Sequence, residues 1–204
     1  MTSTIPSNQE ATWTSPLSTP SYGDGGSATI ICSTSIAASP STCLGIMLDA
    51  TTYASWNKWI PKVLVNTPNH SSPSLPAALA HLAASKPEQM LFLGTEFTFE
   101  VLINSKVQRS DLVVTVLDDC ERDGRKGLRV CWKTRGDPWY LRAERTQEVL
   151  EGIDGGTDYF CYETFYGPVA WVVKTFIGSE LTKGFKLWME GLKEAAEEKA
   201  KEIT

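Results

Sequence analysis

From residue 94 to residue 167 apolar and polar side chains alternate with a period of two, and beyond residue 168 the period becomes helical. The first part breaks into five runs, "GTEFTFEVLINS", "DLVVTVLDDCE", "GLRVCWKT", "YLRAERTQEVLE" and "TDYFCYETFYG", several of them bounded by turn signals such as "RDGRK", "RGDP" and "GIDGG". The spacing predicts an antiparallel meander. In the first run Phe97, Phe99, Val101 and Ile103 share a face against Glu96, Thr98, Glu100 and Asn104, and in the third Leu128, Val130 and Trp132 oppose Arg129, Cys131 and Lys133. One face of the sheet is therefore expected to be apolar and the other wet. The tail "GPVAWVVKTFIGSELTKGFKLWMEGLKEAAEEKAKEI" predicts one long helix beginning near Val169, apolar almost all round in its first turns and then narrowing to a stripe of Leu181, Phe185, Trp188 and Leu192. The first half of this helix is expected to be covered on several sides. Gly178, Gly184 and Gly191 each cost roughly 1 kcal/mol against Ala in a helix interior, which points to close approach or bending there.

Upstream, "ATIICSTSI" (28–36) predicts a first strand, and "ASPSTCLGIML" opens a helix with Ser39 as N-cap and Pro40 at the first helical position. A second short helix falls around "TTYASW". Residues 66–90 are a Pro- and Ser-punctuated insert with a helical turn or two at about 75–84. The insert has too few apolar contacts to be core, so it is expected to be a mobile flap. Residues 1–27 are rich in Ser, Thr, Pro and Gly and offer too little apolar surface to offset the entropy of ordering them. The expected organisation is a disordered N-terminal arm followed by one domain at 28–200.

A strand, two short helices, a meander and one long terminal helix is the element order of the helix-grip fold. The stretch "IAASPSTCLGIMLDATTYASWNKWIPKV" (36–63) is similar to the opening strand, helix pair and Trp-Asn-x-x-x-Pro signature of the SRPBCC or START-like superfamily, also called birch-pollen-allergen-like. The stretch "DGGTDYFCYETFYGPVAWVV" (154–173) is similar to that superfamily's Gly-Gly-Thr turn, Glu-bearing strand and helix entry. Within the superfamily the chain resembles the polyketide cyclase/dehydrase group, over about residues 28–198. The resemblance implies an α+β fold in which a curved antiparallel sheet of about seven strands wraps around the long C-terminal helix. It also implies a hydrophobic cavity for a lipid, sterol, polyketide or similar ligand, with catalysis in some members, and the 66–90 flap is expected to cover or border the mouth of that cavity. The insert at 66–90 and the presence of Arg145 and Gln147, where His or an apolar residue is expected, depart from the pattern.

Composition narrows this further. The chain has 204 residues, 42% of them apolar and 21% charged, enough for one sizeable core. A net charge of −5 with no Lys/Arg stripe argues against nucleic acid and against an anionic membrane as partners. No apolar run reaches the roughly 20 residues of a membrane span, and the first residues lack the features of a secretion signal. Five cysteines without a C-x-x-C pair read as buried free thiols in a reducing compartment, so a soluble, cytoplasmic protein is expected. Both histidines, His70 and His81, fall in the insert outside metal-ligand spacing, and no G-x-S-x-G, G-x-G-x-x-G or P-loop is present. The expectation is therefore no metal and no cofactor, with acid–base capacity left to Glu, Asp, Arg, Lys, Tyr or Cys.

The run "GGTDYFCYETFYG" sets Glu163 among five aromatic side chains. Tyr159, Cys161, Glu163 and Phe165 share one face and Phe160, Tyr162, Thr164 and Tyr166 the other, and hydropathy does not choose between them. The resemblance implies that the first set faces inward, together with Leu141, Ala143, Arg145, Gln147 and Val149 on the neighbouring strand. Arg145 would then meet Glu163, as a catalytic or ligand-contacting pair or as a brace of the sheet. The candidate ligand-binding residues are Trp56, Phe97, Phe99, Val101, Trp132, Gln147, Tyr159, Phe165, Phe176 and Ile177. Trp56 and Trp59 read as core or cavity-mouth aromatics, and Asn57 as a local cap. The expected function is binding of a hydrophobic small molecule and its cyclisation, dehydration or isomerisation in secondary metabolism. The alternative is a carrier or chaperone without chemistry, and no sequence feature specifies an oligomeric state.

Overall fold

The computed structural model describes residues 5–69, 75–152 and 155–203. In chain order the elements are β1 (Thr12–Thr14), β2 (Ala28–Ile36), α1 (Pro40–Leu48), α2 (Tyr53–Trp56), β3 (Lys62–Thr67), β4 (Glu96–Ile103), β5 (Lys106–Arg122), β6 (Arg125–Thr134), β7 (Arg142–Glu151), β8 (Thr157–Tyr166) and α3 (Ala170–Ile203). The strands form one antiparallel sheet in the order β1-β2-β8-β7-β6-β5-β4-β3. Because α3 packs against its apolar face, this is the helix-grip arrangement. Eight strands replace the expected seven, the additional one coming from the N-terminal arm.

Local chemistry sets the hairpins. Asn104 and Ser105 both have positive φ, as do Asp123 and Gly124, which is the conformation a two-residue turn of the I′ type requires. These turns pin β4 to β5 and β5 to β6 in register, so that Phe97, Phe99 and Val101 share the buried face with Val114, Val130 and Trp132. Ser39 caps α1 by accepting the Thr42 N–H, and Pro40 follows it.

The glycines of α3 are seats for tryptophans. A Cβ on Gly184 would lie inside the Trp59 ring, and one on Gly191 would meet the Trp56 carbonyl oxygen. At Gly178 the carbonyl accepts the Trp13 indole N–H (3.3 Å). Close approach to three tryptophans outweighs the helix-propensity cost of the glycines. Beyond these seats Leu181, Phe185, Trp188 and Leu192 are buried against the sheet, while Trp171 and Phe176 stand in water. The expectation that the first turns of α3 are covered on several sides is therefore corrected: only the Ala170, Val173 and Ile177 side of those turns packs inward.

The arm is also corrected. Residues 5–27 wrap the β2 edge and the outer face of the sheet instead of being disordered. β1 pairs with β2, Ile5 is buried, and Ile5 and Leu17 pack with Ile31, Leu150, Phe160 and Tyr162 as a second apolar cluster. Hydrogen bonds fix the path: Leu17 N–H donates to Thr29 Oγ1 (2.9 Å), and the Ser21 N–H and hydroxyl both donate to the buried Glu144 carboxylate (2.8 and 2.6 Å). The outer face is consequently dry over β2, β8 and β7. That explains why both parities of β8 look apolar.

The insert is displaced from its expected place. Its described part forms 3-10 turns at Ala77–Ala84 and Pro87–Gln89, with Leu79 fully buried in the main core and Leu91 N–H bonded to the Leu48 carbonyl (2.8 Å). It leaves β3 and enters β4 at the end of those strands remote from the β4–β5 hairpin. His70 and Pro73 lie outside the described residues.

Burial of titratable groups gives the fold a pH signature. Burial pushes the Cys43 thiol up to about 11 and the Cys131 thiol and the Tyr162 phenol up to about 12. Each folded value lies above the ordinary one, so the corresponding stability is complete below about pH 9 and is lost as pH rises through 11 to 12. The urea midpoint is expected to be lower at about pH 10.5 than at about pH 8; equal midpoints would show that these groups are not sequestered in the folded state.

Candidate functional site

Between the sheet and α3 lies a cavity of about 670 Å³, within the range of small-molecule sites. It opens between the β4–β5 hairpin and the first turns of α3. Its walls are apolar: Phe99 and Val101 from β4, Leu112 from β5, Trp132 from β6, Phe165 from β8, and Val173, Ile177 and Leu181 from α3. Asn104, Lys106, Gln108 and Arg109 supply polar groups at the open end. Toward the other end the space is filled by Tyr53, Trp56, Phe97 and Trp188, whose rings meet one another or Phe99 and Trp132 at centroid distances of 4.9–6.1 Å. Large aromatics with mutually tilted rings plug that end.

Arg145 and Glu163 face each other directly across the β7–β8 ladder, and both line the cavity. The Arg145 Nε and Nη2 groups both donate to Glu163 Oε2, at 2.8 and 2.6 Å. The guanidinium is buried and lies over the rings of Phe185, Trp59 and Trp188, 4.4, 5.2 and 5.4 Å from their centroids. Burial works against its charge, but the Glu163 carboxylate, with Cys161 and Tyr159 beside it, more than offsets that cost and leaves the Arg145 pKa raised. Glu163 Oε1 accepts no hydrogen bond among the described residues. The arrangement is therefore a carboxylate held by one oxygen, with the other available to a ligand. Two residues back along β8, Cys161 opposes Cys32 across the β2–β8 ladder, both buried as free thiols.

Of the sequence-derived candidates, Arg145, Glu163, Phe99, Val101, Trp132, Phe165 and Ile177 come together around the cavity. Phe97, Gln147 and Tyr159 share the inward face of the sheet and Trp56 packs from α2, but all four sit in the plugged region, where the Tyr159 hydroxyl donates to Gln147 Oε1 (2.6 Å). Phe176 is 74% exposed and turns away from the cavity, because it lies about 100° round the helix from Ile177. Trp59, left open between core and cavity, lines the wall, while Asn57 caps the following turn through Oδ1 to the Trp59 and Ile60 N–H groups (3.0 and 2.8 Å). Leu141, Ala143, Val173 and Leu181 were not among the candidates. The first two share strand parity with Arg145, and the last two share a helical stripe with Ile177. No described part of the 66–90 insert lines the cavity: the insert joins the opposite end of β4, and its Ala77–Ala84 turns pack toward α1. No tyrosine lines the cavity, and no cluster of His, Cys, Asp or Glu among the described residues has metal-binding geometry. No described helix is long and apolar enough to cross a membrane.

Solved structures share this architecture. A START superfamily protein from Mycobacterium smegmatis superposes with a TM-score of 0.52 at 13% identity, covering 86% of this chain and 99% of that one. A hypothetical protein from Helicobacter pylori gives 0.58 at 14% identity over 81% and 86% of the two chains. The di-domain ARO/CYC protein BexL from the BE-7585A biosynthetic pathway gives 0.54 at 12% identity, with 83% of this chain matched to 50% of that one. At such identities the likeness establishes the fold alone, the helix-grip fold of START superfamily proteins. No family model and no curated protein matches the chain.

Proposed function

We propose that the protein takes up a hydrophobic small molecule in this cavity and promotes its cyclisation, dehydration or isomerisation, with Glu163 accepting and returning a proton. The observation that carries this reading is the free Oε1 of a carboxylate whose other oxygen is clamped by Arg145 inside an apolar chamber. A base must stand within hydrogen-bond reach of the proton it takes, and a clamped carboxylate offers one oxygen in a fixed direction. One such group suffices where a proton leaves one atom of the ligand and returns to another, as in an isomerisation. Among the described residues no second carboxylate, histidine or tyrosine lines the cavity, so the role of polarising a ligand carbonyl falls to Arg145. The walls would supply most of the remaining rate gain by holding one ligand conformation and excluding water. Structural likeness to an ARO/CYC protein and to a START superfamily protein is compatible with this reading.

Native mass spectrometry of protein purified from its own source should reveal a bound apolar compound. With that compound as substrate, Glu163→Gln should keep the fold and most of the affinity while lowering turnover roughly 100-fold or more. Wild-type turnover in the Gln variant would remove Glu163 from the mechanism. Release of the compound unchanged by the wild-type protein would leave binding without chemistry, the function of a carrier.

A further inference from the structure

The large apolar side chains that the fold leaves most exposed are gathered at one end of the molecule. Trp139 and Tyr140 precede β7, Trp171 and Phe176 stand on the first turns of α3, and Val107 follows the β4–β5 turn; they are 76%, 50%, 64%, 74% and 55% exposed. These segments are tied together around the opening of the cavity. The Tyr140 carbonyl accepts the Val169 N–H (3.0 Å), and Asn104 and Lys106 line the opening together with Val173 and Ile177. Two tryptophans and a phenylalanine in water are unfavourable, and none of them packs in the core or lines the cavity.

The same three segments, 102–109, 135–142 and 168–177, carry Lys106, Arg109, Arg135, Arg142 and Lys174 against the single acid Asp137, in a chain whose net charge is −5. Arg109 and Arg135 are bonded to Glu100 and Glu96, whereas Lys106 and Lys174 take no ion pair among the described residues. Exposed indole and phenol rings interleaved with Lys and Arg are the side chains that settle at a lipid headgroup boundary: the ring enters the apolar side and the polar end stays wet.

We propose that this rim docks on an anionic phospholipid surface, with Trp139, Tyr140, Trp171 and Phe176 entering the headgroup–acyl boundary and the cavity mouth facing the bilayer. The whole-chain charge argued against such a partner, but the face is assembled from three separate segments, and the charges on it left without an ion pair among the described residues include those of Lys106 and Lys174. Each basic residue near anionic headgroups strengthens partitioning by roughly fivefold, and the acidic remainder of the chain disfavours approach by any other face. Docking requires no chemistry at Glu163, and it is read with the protein and lipid alone.

The test is flotation of the full chain with vesicles of phosphatidylcholine containing about 30 mol% phosphatidylserine, against vesicles of phosphatidylcholine only, at about 50 mM salt. The expected result is at least a roughly tenfold preference for the anionic vesicles. Combining Trp139→Ser with Trp171→Ser should lower binding roughly tenfold at an unchanged melting temperature, and Lys174→Glu should weaken both binding and its salt dependence. Equal partitioning of wild type and the Trp variants, or no binding to anionic vesicles, would overturn the proposal. So would a dimer in sedimentation that the same two substitutions abolish, which would assign the rim to a second copy of the chain.

Discussion

A chain truncated to begin at Gly26 should melt roughly 6–12 °C below the full-length protein, the shift expected for a loss of about 3 kcal/mol in a chain of this size. The arm buries Ile5 and part of Leu17, and it covers Ile31, Leu150, Phe160 and Tyr162, each worth roughly 1.5–3 kcal/mol when removed from water. The entropy of ordering the arm opposes that gain. Truncation also removes the Ser21 donors from Glu144, leaving Thr115 Oγ1 (2.9 Å) as its remaining hydrogen-bond donor, and strips β1 from the edge of β2. The bared β2 edge and apolar face should raise the tendency to aggregate. Calorimetry of the two chains measures the effect, and coincident melting curves would mean that the arm rests on the sheet without stabilising it.

Arg145→Ala should cost about 3–5 kcal/mol, because it strands a half-buried carboxylate and empties the space between the Trp59, Phe185 and Trp188 rings. Arg145→Met combined with Glu163→Gln should recover most of that stability, since both charges go while volume is kept. A double-mutant cycle in urea apportions the pair. A cost for Arg145→Ala below about 1 kcal/mol would show that the pair contributes little to the fold, whatever its part in ligand handling. A stable double variant that no longer turns over its compound would separate bracing from chemistry.

The strands from 94 to 167 were legible because their alternation is strict where one face meets α3 and the other meets water, as in β4 with Phe97, Phe99 and Val101. Pairing of Arg145 with Glu163 was within reach because register in an antiparallel ladder follows from parity once the inward face is chosen. Parity itself was ambiguous in β8, and the arm supplies the reason: Phe160 and Tyr162 are buried beneath it, so both faces carry apolar side chains. The arm's docking was hidden because much of it rests on hydrogen bonds such as Leu17 to Thr29 and Ser21 to Glu144, which composition does not register. Depth along the strand was the other hidden quantity. Tyr159 and Gln147 have the parity of Glu163 and Arg145, but they fall where aromatic rings fill the space. The insert at 66–90 had the composition of a lid, yet the end of β4 to which it is attached decided where it packs.

The three glycine seats on α3 have a consequence for the order in which the molecule assembles. Trp13 and Gly178 are 165 positions apart, and Trp56 and Trp59 likewise meet a helix that lies far along the chain. Contacts of such long range slow folding, since the entropy of closing the intervening loop is lost before the contact forms. α3 follows every strand in the chain, so Phe97, Phe99 and Trp132 stay bare on the concave sheet until that helix has been made. Docking of this one helix therefore closes the hydrophobic core and creates the cavity in the same step, and the nascent chain has no binding chamber before it.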